Sequence, residues 1–533
     1  MKLKQIVFIS FLFAACAPSA TRQFDARDPL INIHTIRTNL EFLASDELEG
    51  REAGTIGEKV SAGFIASQLR NYGVKPFAYS SRRDEADSLG YFMEFDATKI
   101  SVLPASYMIV YDSAANKEIP MTYGQYFVNF HDQLVNCNFN APVVFAGFGI
   151  TAPEYNYDDY AGLDVKGKIV VALDGEPQSD DEHYFDGEIV SSYSSAQFYK
   201  RHRAKELGAK AFFVLAYDGL LSKWDDYVGY FLANKMVFNG EYASADDPER
   251  MPYFYGNNKL FEELLSGSGY SFEQIRYLTK EKKDPPRFEI KKLNARLRME
   301  TKAASTSAMN VVGMIEGNDP KLKNEFVAIG AHFDHLGIND SGVVFNGADD
   351  DASGTTTVLE VARAFSRSRD NKRSVLVVFH GAEEKGLLGS SYLTDEATAR
   401  PFQLSQIVAQ INIDMVGRES EDSIYVIGSG RLSSELKSLN ESINRKLKLF
   451  AFDYTFDADD DPNRYYYRSD HYNYAKFGIP VVFFFDGMTT DYHKSTDDTD
   501  KINFPKIEKT ATQVYNLTHK IANQKRRLKV DGK

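Results

Sequence analysis

Cysteine is nearly missing from this chain: 533 residues contain two, Cys16 and Cys137. Once the leader described below is removed or modified, Cys137 stands alone and no intramolecular disulfide can form. A domain of this size does not need one. An excess of positive charge is missing too. The chain has 62 Lys and Arg against 75 Asp and Glu, a net charge of -13. That argues against a nucleic-acid partner, which requires a positive surface. No apolar run is long enough to hold a permanent membrane span. There is no H-E-x-x-H helix, no G-x-S-x-G elbow, no Walker loop and no dinucleotide G-x-G-x-x-G. Gly428-Ser429-Gly430 is a short turn, not a phosphate cradle. Internal repeats and long low-complexity segments are also lacking. What remains is 43% hydrophobic and 26% charged, the composition of a soluble globular protein. Its length exceeds one ordinary core and predicts two or three domains.

The first residues, MKLKQIVFISFLFAAC, read as a targeting segment rather than fold. Lys2 and Lys4 make a basic start, and Ile6–Ala15 is a short apolar core. Phe13-Ala14-Ala15-Cys16 resembles the lipobox of bacterial lipoproteins, in which the cysteine is lipidated and becomes the mature N-terminus. The expectation is a signal segment over 1–16, lipidation at Cys16, and an exported protein in the periplasm or on the outer membrane. Its only membrane attachment would be the lipid. A plain cleaved signal peptide is the alternative.

From Ile31 to Tyr72 apolar residues recur at helical spacing, interrupted by the Gly-rich acidic loop SDELEGREAGTIG, with Gly73 as a helix stop. Between about 100 and 290 short β-like runs such as APVVFAGFG and GKIVVALDG alternate with turns. This stretch holds no cluster of His and carboxylates at ligand spacing. From about 309 strands and helices alternate: NVVGMIEG, FVAIGAH, a helix over Ala352–Ser368, RSVLVVFHG, QINIDMVG, SIYVIGSG, a helix in SSELKSLNESINRKL, IPVVFFFDG and a last helix from Phe504. That pattern predicts an α/β fold, a mostly parallel sheet sandwiched by helices, with sites at the carboxyl ends of its strands.

The polar residues fall at those ends. AHFDHLG supplies His332, Asp334 and His335; NGADDDASG supplies Asp349, Asp350 and Asp351; HGAEE supplies Glu383 and Glu384. NIDMVG adds Asp414, RSDH adds Asp470 and His471, and DYHKSTDD adds His493. Taken singly, Asp349–Asp351 would be helix caps, and His34, His131, His183, His202 and His519 ordinary surface or packed residues. The run DADDDP from Asp457 reads as a solvated loop. Together the strand-end acids would repel and be driven toward protonation. A bound cation removes that penalty. Two imidazoles with three or more carboxylates suit zinc or its borderline neighbours, and serve two metals if one carboxylate bridges. Adjacent Glu383 and Glu384 cannot occupy the same position at such a site. One can bind metal while the other acts as general base on the attacking water, a division a structural site would not need.

The ordered motifs AHFDHLG, NGADDDASG, GAEEKGLLGS, NIDMVGR, RSDHYNYAKFGIP and YHKSTDDT resemble the M28 family of zinc aminopeptidases. Glutaminyl cyclases share the fold but lack the full dinuclear set, so His332 and Asp350 disfavour them. The resemblance implies two zinc ions, with cobalt or manganese as alternatives. Asp350 would bridge them, His332 and Asp414 would complete one site, and Glu384 and His493 the other. Glu383 would be the general base, and Asp334 would sit behind His332 and tune it. Tyr466 and His471 would lie near the substrate without binding metal. The substrate implied is a peptide cleaved at its free N-terminus, with carboxypeptidase or dipeptidase chemistry on the same scaffold as the first alternative and an inactive peptide-binding lipoprotein as the second. The implied domains are a catalytic N-terminal part over 30–100, an inserted region over 101–295 holding a β-rich protease-associated domain with its core near 140–220, and the catalytic zinc peptidase domain over 296–525.

Overall fold

The structure is a computed structural model. It describes residues 30–532 except 80–88, 114–115, 130–133, 182–183, 187–190, 217, 223, 225–234, 240–249, 340, 460 and 462. The leader with Cys16, and also His131 and His183, lie outside the described residues.

The chain enters through α1 (Ile33–Leu43) and α2 (Ile56–Tyr72). Asn32 caps α1 by accepting the His34 N–H. Gly73, at φ 79°, ends α2 in the left-handed conformation that glycine tolerates, as its position in the sequence predicts. The sheet is then built from β1 (Phe92–Val102), β2 (Thr301–Ile315) and β3 (Phe326–His332). After α3 (Gly354–Ser368) come β4 (Ser374–His380), β5 (Ile407–Ile413) and β6 (Ser423–Ile427). Helix α4 (Ser434–Leu447), β7 (Val481–Phe485) and α5 (Phe504–Asn523) complete it.

These strands belong to one ten-stranded sheet whose main path runs Lys235–Phe238, β1, β2, β4, β3, β5, β7, β6, Ala451–Asp453. The predicted parallel core is present as β4, β3, β5 and β7. On its flanks β2 pairs antiparallel with β1 and β4, and β6 antiparallel with β7. Alternating side chains of the central strands enter two different cores. Val327, Ile329, Val375, Val377, Val482 and Phe484 pack with α1, α2, α3 and α5. Phe326, Ala328, Leu376, Val378, Val481 and Phe483 pack on the opposite face. Burial on both faces is why these strands read as continuous apolar runs, and each such side chain contributes roughly 1.5–3 kcal/mol on burial.

Residues 107–299 supply a second sheet of eight strands with its own apolar core, including Val143, Phe145, Val171, Phe213 and Phe254. The chain leaves the first sheet after β1 and returns at β2, and the two crossings are hydrogen-bonded to each other, Leu103 N–H to Glu300 O at 2.8 Å. One short strand, Lys235–Phe238, reaches back to pair with β1.

The loop between α1 and α2 carries an unexpected anchor. Arg51 is buried and donates to the carbonyls of Phe333 (2.8 Å), Asn346 (2.5 Å), Gly347 (3.0 Å) and Leu43. It thereby joins the loop before α2 to the chain after β3 and to the turn before α3. Arg51→Met should lower the unfolding free energy by about 3 kcal/mol or more, because it leaves several buried carbonyls without donors. Urea denaturation of the purified protein measures this, and an unchanged midpoint would remove Arg51 from that role.

Candidate metal centre and cleft

Strand register explains how distant motifs meet. His332 pairs with His380 across β3 and β4, and Gly330 with Asn412 across β3 and β5. Parallel strands in this register end level, so Asp414, two residues past Asn412, arrives beside His332. Asp350 comes from the turn Ala348–Ser353 that precedes α3. Gly354 begins α3 because a Cβ there would stand 2.3 Å from Ile413 O and 2.4 Å from Asp351 Oδ1. Helix and strand β5 can therefore approach only with glycine at that position.

The structure brings five predicted ligands together, all buried or nearly so. His332 Nε2 lies 3.2 Å from Asp350 Oδ1 and 3.5 Å from Asp414 Oδ1. His493 Nε2 lies 3.2 Å from Asp350 Oδ2 and 3.1 Å from Glu384 Oε2. The two oxygens of Asp350 thus face different partners. Two groups offer ligand atoms within 4.8 Å of one another: His332, Asp351 and Asp414, and His335, Asp350 and Glu384. The donor set is imidazole and carboxylate, which fits zinc, cobalt or manganese. Neither ring nitrogen of the fully buried His335 makes a hydrogen bond, although Nδ1 is 2.9 Å from Glu384 Oε1. Close approach without hydrogen-bond geometry is what lone pairs converging on a shared ion would give.

Asp334 stands beside His332 and helps to raise its imidazole. Its carboxylate oxygen is 3.8 Å from His332 Nδ1, while its own backbone carbonyl is 3.2 Å from that nitrogen. The carboxylate also accepts the N–H groups of Glu383 (3.0 Å) and Glu384 (3.4 Å). It holds the two-glutamate turn against the end of β3. Tyr466 needs a correction: it is buried under the Arg431 guanidinium and beside His471, and its neighbours Tyr465 and Tyr467 line the cleft in its place. His471 is fully buried and stacks on Phe483, behind the cleft wall; burial lowers its pKa to about 3 and keeps the ring neutral. Asp457 is not simply solvated, since it accepts from Gly428 N and Arg431 Nε.

The adjacent glutamates are pushed in opposite directions. Burial and the charge of Asp350 oppose ionisation of Glu384, but His493 and His335 outweigh them and its pKa falls to about 2. Burial, with Glu384, Asp470 and Asp414 adding to it, raises Glu383 well above the usual range against the pull of His332. Burial also opposes charge on His332 and on Asp350. Glu383 and Asp414 nevertheless raise the imidazole, and contacts with His332 and His493 lower the carboxylate. Four non-glycine residues at the site hold positive φ: Ala382 (55°), Leu387 (61°), Met415 (53°) and His493 (57°). Such backbone persists where surrounding contacts over-determine it.

Some of those contacts come from residues the motif reading did not single out. The Asp497 carboxylate accepts the N–H groups of Asp349 (3.0 Å) and Asp350 (3.1 Å) and pairs with Arg418 at 2.5 Å. Arg418 N–H donates to Asp486, which pairs with Lys506 of α5 at 2.5 Å. Asp351 accepts from Gly354 and Met415. Arg418 and Asp497 sit inside the quoted motifs, so position in a motif was their one available signal; Asp351 is one of the strand-end acids already named.

An α/β sandwich whose parallel strands deliver this cluster to one edge has the zinc-exopeptidase fold. Residues 310–518 match the family model of peptidase family M28. Two curated relatives match shorter stretches. A probable leucine aminopeptidase 2 of Aspergillus oryzae is 29% identical over 189 residues, 36% of this chain and 36% of the relative. Aminopeptidase YwaD of Bacillus subtilis is 32% identical over 122 residues, 22% of this chain and 25% of the relative. The alignments therefore span about a third and a quarter of those proteins. Among solved structures, an aminopeptidase from Aneurinibacillus sp. strain AM-1 aligns with a TM-score of 0.59 at 17% identity, covering 94% of this chain and 96% of that one. BSAP, a zinc aminopeptidase from Bacillus subtilis, aligns with a TM-score of 0.55 at 18% identity, covering 94% and 98%. At these identities the likeness is one of fold.

Asp497→Ala should destabilise the protein by about 3–5 kcal/mol, since it strands the buried Arg418 charge and frees two N–H groups. Denaturant unfolding of the metal-free protein reads this directly. A change below about 0.5 kcal/mol, the scale of an ordinary surface substitution, would exclude Asp497 as the clasp.

Proposed function

We propose that the protein is a metal-dependent aminopeptidase that removes N-terminal residues from peptides, using two zinc ions and Glu383 as general base. The observation that carries this reading is the placement of Asp350, whose two buried oxygens face His332 with Asp414 on one side and His493 with Glu384 on the other. In this reading Asp350, His332, Asp414, His493 and Glu384 would hold the two cations. His335 and Asp351 stand against the same groups. When bound, the cations would polarise the scissile carbonyl and acidify a water.

Glu383 lines the cleft, and its backbone N–H is tied to Asp334. Its carboxyl group is free of the imidazole contacts that engage Glu384, so it can take a proton from the attacking water and deliver it to the departing amine. Curated relatives of the matched stretch are named as aminopeptidases, which favours the aminopeptidase reading over a carboxypeptidase. The leader with Cys16 extends the proposal: the enzyme works outside the cytoplasm on a lipid anchor, with peptides as its partners.

Hydrolysis of aminoacyl p-nitroanilides, free and N-blocked, tests the activity. Cleavage of free-amine substrates alone, lost with chelator and restored by zinc, is the expected result. Glu383→Gln should reduce kcat at least about 100-fold, the scale of general acid–base catalysis, with metal content by mass spectrometry equal to wild type. Retained turnover would remove Glu383 from its role. Asp350→Ala should bind markedly less metal on the same assay, and full metal content there would refute the bridge.

A further inference from the structure

The turn that bears Glu383 and Glu384 has a second set of ties besides those to Asp334. The next residue, Lys385, has a side chain only 4% exposed, and its amine lies 3.0 Å from Glu52 Oε1. The other oxygen of Glu52, Oε2, lies 3.0 Å from Lys99 Nζ. Burial opposes charge on Glu52, yet Lys385 and Lys99 hold its carboxyl below the usual range. Removing such a shared acid would leave the buried Lys385 amine unpaired, which is costly.

Glu52 stands where three parts of the chain meet. Its backbone forms a β-bridge with His335. Its partner Lys99 belongs to β1 and pairs across the sheet with Met236 of Lys235–Phe238, the strand supplied by the 107–299 region. Met236 and Ala53, the neighbour of Glu52, share one buried apolar cluster with Ala382 and Leu388, which flank the turn. An ionic line through Lys99, Glu52 and Lys385 and an apolar one through Met236 and Ala53 therefore converge on the same few residues.

We infer that Glu52 is a positioning residue for Glu383. It braces the glutamate turn against β1 and touches no substrate itself. Glu52 acts through Lys385, and Lys385 through the backbone it shares with Glu383 and Glu384. Met236 brings the 107–299 region into the same brace, so that region helps to hold the turn. The inference rests on the reading of Glu383 as general base. Misplacing a catalytic group by about 1 Å can cost on the order of 100-fold in rate, so the brace should be visible in kcat.

The test compares zinc-loaded full-length wild type, Glu52→Gln and Lys385→Met by hydrogen exchange and by hydrolysis of Leu-p-nitroanilide. Amides of Glu383–Leu388, several of them bonded within the turn, should exchange at least about tenfold faster in both variants while those of β3 and β5 keep the wild-type rate. At the same time kcat should fall at least about tenfold, with KM and metal content unchanged. In a Glu383→Gln background, Glu52→Gln should lower kcat no further, because residues that act as one unit are not additive. A full multiplicative loss there would mark general damage and overturn the inference. Unchanged exchange at the turn, a rise shared by the whole domain, or faster exchange with wild-type kcat would also overturn it. If Glu52→Gln does not fold, Lys385→Met, which keeps the Lys99 contact, decides on the same readouts. Failure of the general-base reading looks different: Glu383→Gln would retain turnover, or wild type would cleave no free-amine substrate. Exchange at the turn would then still decide whether Glu52 holds it.

Discussion

Asp350 is a buried carboxylate whose two oxygens must each meet a different imidazole, and much of the site is arranged around that requirement. His332 and His493 come from opposite ends of the matched stretch, separated by five of the sheet's strands in sequence, yet each stands 3.2 Å from one oxygen. Parallel strands ending level deliver His332 and Asp414. A clasp through Asp497 holds the backbone of Asp349 and Asp350 four residues after His493 in the chain. Beneath them Arg51 ties the chain after β3 to the turn before α3 through four carbonyl contacts. The anchoring is polar and buried, where an unmet group is expensive, so the arrangement has little room to relax.

That rigidity separates two chemically identical neighbours. Glu384 is drawn into the imidazoles and held ionised, whereas Glu383 meets burial and other acids and holds a proton more readily. Environment, not residue type, sets the two carboxyl groups apart. The positive φ values at Ala382 and Leu387 bracket this pair. The turn is thus committed to a backbone that lets consecutive side chains point to different places.

The cleft above the cluster is small and mostly aromatic, with acids at its floor and an arginine at its margin. The second sheet, formed by residues 107–299, joins the first through two adjacent crossings, and its strand Lys235–Phe238 extends the first sheet beyond β1. Insertion at the antiparallel flank leaves the parallel strands and their level ends intact.

Periodicity and local motifs carry a great deal of this. The alternation of strands and helices after residue 309, the helix stop at Gly73 and the strand-end positions of His332, Asp350, Glu383, Glu384, Asp414 and His493 could be read directly, because burial on both faces writes long apolar runs and sites form where they stop. The resemblance to M28 peptidases then supplied roles that spacing alone left open. Other features depend on where separate parts of the chain meet. In YYYRSDH every tyrosine is an equal candidate for the cleft; packing under Arg431 withdraws Tyr466 and leaves Tyr465 and Tyr467 to line it. Asp334 reads as a partner of His332; folding adds what the sequence does not show, the N–H groups of Glu383 and Glu384 on the same carboxylate. Asp497 and Arg418 look like one acid and one base among many until folding places them 2.5 Å apart behind Asp350. By itself the sequence determined which chemical groups stand at the carboxyl edge of the sheet, since that follows from local periodicity. Tertiary structure alone decided which of them touch, because hydrogen bonds and desolvation act over a few ångströms between residues that lie tens to hundreds of positions apart.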